Sequence, residues 1–88
     1  MTLTFSEQKR IAEQALELWQ IVLPHSQAPE RYQFLMWAGM FPETSITRGI
    51  NRAAQKFLTM RDTGKQMSAD DAVRYANSVM RSESQRAA

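Results

Sequence analysis

Eighty-eight residues with eleven Lys and Arg, nine Asp and Glu, one His and no Cys suit one small domain, which hides roughly 60–65% of its unfolded surface on folding. The lack of cysteine excludes a disulfide scaffold, a thiolate metal site and a cysteine nucleophile, and it suits a reducing, cytoplasmic setting. A net charge of +2 is too small for the total alone to imply a nucleic-acid partner. The first ten residues, MTLTFSEQKR, lack the cationic start and apolar run of a secretory signal, and the longest apolar stretches fall well short of the ~20 residues that span a bilayer. A soluble chain with no membrane partner is expected.

The pattern along the chain predicts an all-α, four-helix domain. Thr4 with Glu7 three residues later has the form of a capping box, so the first helix is expected over 5–23. Ile11, Ala12, Ala15, Leu16, Leu18, Trp19, Val22 and Leu23 recur at helical spacing on one arc, and Pro24 stops the run because the residue before a proline resists helical dihedrals. PHSQAP is a connector, and Pro29 suits the first turn of a second helix over 29–40. The apolar side chains of that helix, Phe34, Leu35, Met36, Trp37, Met40 and Phe41, point in nearly every direction. Such a helix is either the centre of the core or a surface that another protein covers.

Gly39, Pro42 and the hydroxyls of Thr44 and Ser45 mark a turn and a helix start. The third helix is expected over 44–60, with Ile46, Ile50, Ala53, Ala54, Phe57 and Leu58 inward and Arg48, Arg52, Gln55, Lys56 and Thr59 outward. Gly49 within it costs ~1 kcal/mol against alanine, which points to a close neighbour. A polar loop around Gly64 leads to Ser68 and Asp71, a second cap pattern, and to a fourth helix over 68–82. Residues 1–82 therefore form a single domain, and 83–88 have nothing to bury and are expected to fray.

Chemistry is sparse. His25 has no companion at metal spacing and reads as an ordinary connector residue. Asp70 and Asp71 are adjacent, diverge by ~100° on a helix and suit a helix N-terminus. No phosphate-cradling glycine loop or nucleophile elbow is present, so no enzyme, metal or cofactor is expected.

From Thr44 to Arg61 there are four basic residues and no acidic one. Arg48, Arg52 and Lys56 stand four apart, with no acid inside the helix to quench them. The stripe is either the solvated side of an amphipathic helix or a contact for nucleic acid. Ala38 and Gly39, followed by SITRGIN from Ser45 to Asn51, resemble the turn and recognition helix of lactose-repressor-type helix-turn-helix proteins, over about twenty residues. That resemblance implies a helix-turn-helix made of the second and third helices, with Ile46 and Ile50 anchored inward and Thr47, Arg48 and Arg52 facing double-stranded DNA. Lys56 extends the stripe, and a homodimer would double its phosphate contacts. The alternative is a protein-interaction module using Met36, Trp37, Met40 and Phe41, which offer adaptable apolar contact, with Gly49 admitting a partner helix.

Overall fold

A computed structural model describes residues 4–24 and 28–87. Four helices follow in order: α1 (Phe5–Val22), α2 (Arg31–Met40), α3 (Glu43–Asp62) and α4 (Ala69–Ala87). The all-α, four-helix reading holds. His25 lies outside the described residues.

Each boundary has a local cause. Thr4 caps α1 by accepting a hydrogen bond from the Glu7 backbone N–H at 3.2 Å, and Leu23 closes it with its own N–H on the Trp19 carbonyl at 2.8 Å. The second helix begins two residues later than expected. Glu30, at its N-cap, has extended backbone (φ −63°, ψ 154°), so Pro29 lies in the approach to α2 and not in its first turn. Gly39 is helical, and the turn into α3 is Phe41–Pro42. Thr44 and Ser45 are accordingly inside α3 and do not cap it; Pro42 is the N-cap, and Glu43 places a carboxylate in the first turn, where the helix dipole favours it.

The end of α3 is a Schellman motif. The Lys65 N–H donates to the Met60 carbonyl at 2.8 Å and the Gly64 N–H to the Arg61 carbonyl at 3.0 Å, with Gly64 at φ 78°, a left-handed conformation open to glycine. Ser68 then caps α4 by accepting from the Asp71 N–H at 3.1 Å. This helix does not stop near 82. No glycine or proline follows Gly64, so nothing breaks the repeat, and residues 83–87, expected to fray, continue as helix with Glu83 and Ser84 half-buried.

One core cluster draws on all four helices, and its largest side chains lie where α1 packs on α2. Trp19, Phe34 and Trp37 form an aromatic cluster: Phe34 meets both tryptophans edge-on, at 6.1 Å from Trp19 and 5.5 Å from Trp37, and the two indoles stack at 6.3 Å. Such geometry contributes beyond area burial. Trp37 also donates from Nε1 to Asn77 Oδ1 at 3.1 Å, tying α2 to α4, whereas Trp19 Nε1 is buried with no hydrogen-bond partner among the described residues. The most extensive helix pairing is α3 on α4, while α2 touches α3 sparingly. Because α2 leans on α1 and α3 on α4, the long outer side of α3 faces solvent.

Candidate nucleic-acid interface

The inward anchors of α3 determine what it shows outside. Ile46, Ile50 and Ala53 are buried, so at 3.6 residues per turn Thr47, Arg48, Asn51, Arg52, Gln55 and Lys56 fall on the exposed side. The Thr47 hydroxyl donates to the Glu43 carbonyl at 3.1 Å, which commits its proton to the helix and leaves its oxygen to accept. Arg48, Asn51, Arg52 and Gln55 line one shallow, open trough of about 400 Å³. Asn51 and Gln55 add paired donors and acceptors between the cations, a role the sequence reading did not give them. Their signal was available: each sits about one turn after a stripe cation, Asn51 three residues after Arg48 and Gln55 three after Arg52.

The three cations are not equivalent. Arg48 reaches across to α4, where its Nη1 donates to Glu83 Oε2 at 3.0 Å. Among the described residues no carboxylate lies within 4.0 Å of Arg52 or Lys56, and neither Glu13 nor Glu17 pairs with the stripe. The other ion pair, Arg10 with Glu43, is stretched to 3.9 Å and about half-exposed on both sides. Sequence reasoning missed Glu83 because it lies 35 residues from Arg48, in the segment expected to fray.

Charge is divided between the two halves of the chain. Before Glu43 there are three Lys and Arg against four Asp and Glu; from Glu43 onward there are eight against five. The modest net charge is thus a slightly acidic α1–α2 half joined to a cationic α3–α4 half, and the stripe belongs to the cationic one.

The residues expected at a protein interface are split by the fold. Trp37 is fully buried, Phe41 nearly so, and Gly49 is buried under α4. A Cβ added at Gly49 would stand 2.5 Å from Met80 Cγ and 2.8 Å from the Ala76 carbonyl oxygen, so the neighbour this glycine admits is α4 of the same chain. Trp37, Phe41 and Gly49 therefore offer no free surface. Met36 and Met40 remain 40% and 53% exposed, joined by Tyr32 at 69%, in a row four residues apart along the outer side of α2.

Asp70 and Asp71 sit in the first turn of α4, and no group of three or more His, Cys, Asp or Glu capable of holding a metal occurs among the described residues. No helix among them is long and apolar enough to cross a membrane. The fold and this surface define a small all-α domain with one helix side that is polar and cationic and carries no acid of its own between Thr44 and Arg61. No protein-family model, no curated protein and no solved structure matches the chain.

Proposed function

We propose that this is a small non-enzymatic binding domain that contacts double-stranded DNA through the exposed side of α3. The observation that carries the reading is that Arg52 and Lys56 stand in solvent with no carboxylate in reach, on the cationic half of the molecule. Two free cations one turn apart are placed to neutralise phosphates, each contact releasing condensed counterions and making affinity fall with salt. Asn51 and Gln55 supply neutral N–H donors that phosphate and base edges both accept, and the Thr47 oxygen is left to accept from a base amino group. So few charges bind weakly from one copy, and a homodimer is the expected means of doubling them.

The finer form of the proposal makes α2, Phe41–Pro42 and α3 a helix-turn-helix in the major groove. It draws support from the exposure of Thr47, Arg48 and Arg52. The sparing contact of α2 with α3 and the two-residue connector are less than the mutual packing that such a pair relies on, so phosphate contact is the better-supported part.

A second reading has its own observation. The exposed row of Tyr32, Met36 and Met40 is apolar surface that association with another protein would cover.

One experiment separates the two. The R52E/K56E variant, checked for helicity by circular dichroism, should lose binding to a duplex fragment by tenfold or more, on the order expected for two reversed charges at ~50 mM salt. Unchanged duplex binding by the folded variant would remove the DNA reading. Association that persists in the variant and is lost on M36E/M40E would support the protein reading.

A further inference from the structure

The Arg48–Glu83 pair is the feature of the cationic side that solubility alone does not require. Glu83 is the only acidic residue after Asp71, and α3 has none between Thr44 and Arg61, so this carboxylate reaches Arg48 from the neighbouring helix. The 3.0 Å contact lies within the range of charge-assisted hydrogen bonds. The pair is lopsided: the Glu83 side chain is only 13% exposed, while Arg48 is 68% exposed. Glu83 is thus a fixed acceptor set into the α3–α4 surface, and Arg48 lies over it with its remaining N–H donors turned to water. Met80, fully buried one turn earlier, holds the helix that carries Glu83.

We infer that Glu83 is an internal competitor for nucleic-acid phosphate, an autoinhibitory contact that keeps Arg48 out of the binding stripe. This rests on the proposed DNA contact through α3 and adds how that contact is restrained. A carboxylate at hydrogen-bond distance from a guanidinium occupies the place a phosphate oxygen would take. While the pair stands, Glu83 compensates the Arg48 charge, and Arg52 and Lys56 are the uncompensated cations that phosphate meets. A phosphate on the water-facing donors of Arg48 meets a charge already paired, and one that takes the inner donor displaces Glu83 and leaves its charge unpaired in a mostly covered position, which weakens the N-terminal half of the stripe against the C-terminal half.

The test uses the full chain, a duplex DNA fragment and four proteins: the parent, E83Q, E83Q/R48Q and E83Q/K9Q. All are checked for helicity, and binding is titrated from 50 to 200 mM salt. E83Q frees one cation, so the slope of log K against log salt should steepen by about 0.9, and its advantage over the parent should grow about threefold from the high-salt to the low-salt end. E83Q/R48Q should return to the parent slope, since the freed cation is gone. E83Q/K9Q, with the same net charge but its loss on the acidic half, should keep the gain. An unchanged slope in E83Q overturns the inference, as does a K9Q change that cancels the gain as fully as R48Q, which would make the effect one of net charge. If the parent shows no salt-dependent duplex binding, the functional reading fails and this one with it; if the parent binds and E83Q binds identically, only the restraint is lost.

Discussion

Between α1 and α2 the contact is filled by Trp19, Phe34 and Trp37, three of the largest side chains in the domain, all buried. Between α3 and α4 the buried positions are mostly small, Gly49 and Ala53 on one helix and Ala72 and Ala76 on the other, with Met80 the one large side chain packed against Gly49. Large rings fill the space between helices whose axes can stand apart, and each ring carries a large apolar area out of water. Small residues do the reverse: they let two backbones approach until a carbonyl oxygen of α4 stands 2.8 Å from where a Cβ of α3 would be. The first arrangement gains stability from what the side chains bury, the second from how near the helices come. The close approach also has a surface consequence, because it brings Glu83 of α4 within hydrogen-bond distance of Arg48 on α3.

If that contrast is right, truncation should hurt on the aromatic side and enlargement on the small-residue side. Trp37→Ala removes a fully buried indole and leaves Asn77 without its donor; a loss of about 3–5 kcal/mol is expected. In a domain whose whole stability is on the order of 5–15 kcal/mol, urea unfolding should show a large drop in midpoint or no folded baseline. A loss under about 1 kcal/mol would mean that the cluster is not what closes this side. Gly49→Ala comes next. Alanine gains about 1 kcal/mol in helix propensity, yet its Cβ meets the Ala76 carbonyl oxygen at 2.8 Å as well as Met80 Cγ at 2.5 Å. The methionine can swing aside; the carbonyl moves only if the helices part. Overpacking of this kind costs about 1–3 kcal/mol, so a net loss is expected in the same unfolding measurement, and a stabilised protein would contradict the close approach.

The same contrast explains what the sequence disclosed. Four helices were legible because α1, α3 and α4 keep one apolar arc each, and because Thr4 with Glu7 and Ser68 with Asp71 announce their caps in the text. The second helix was ambiguous for a physical reason. It carries two apolar rows back to back: Phe34, Trp37, Ala38 and Phe41 turn inward, while Tyr32, Met36 and Met40 turn outward. Hydrophobicity alone does not separate them, but the spacing of the first row, at 3, 4 and 7 residues, does. Gly49 was rightly read as a place of close approach, though not by which helix. On the candidate site, the free side of α3 followed from periodicity, whereas the inequality of its cations did not. Pairing between Arg48 and Glu83 depends on the α3–α4 crossing and on α4 continuing past 82, and neither is a local property of the chain.

Gly39 gives the smallest effect and the sharpest comparison with Gly49. A Cβ at Gly39 would meet only the Gln8 amide, with Nε2 at 2.9 Å and Cδ at 3.5 Å and no backbone atom within 4 Å outside its own helix. That amide is the end of a flexible side chain, which donates to the Leu35 carbonyl at 2.9 Å. Gly39→Ala should gain about 1 kcal/mol of helix propensity and lose up to the roughly 0.5–1.5 kcal/mol of one displaced hydrogen bond. The unfolding free energy should therefore change by something between a gain of about 1 kcal/mol and a loss of about 0.5 kcal/mol. This also bears on the helix-turn-helix resemblance, in which Ala38 and Gly39 stand at the turn. A glycine needed for a turn is one whose backbone alanine cannot adopt, and replacing it costs about 1–2 kcal/mol. A near-neutral or stabilising Gly39→Ala beside a damaging Gly49→Ala would place the turn at Phe41–Pro42 in solution; a Gly39→Ala loss as large as that at Gly49 would mean that α2 ends earlier and that the turn includes this glycine.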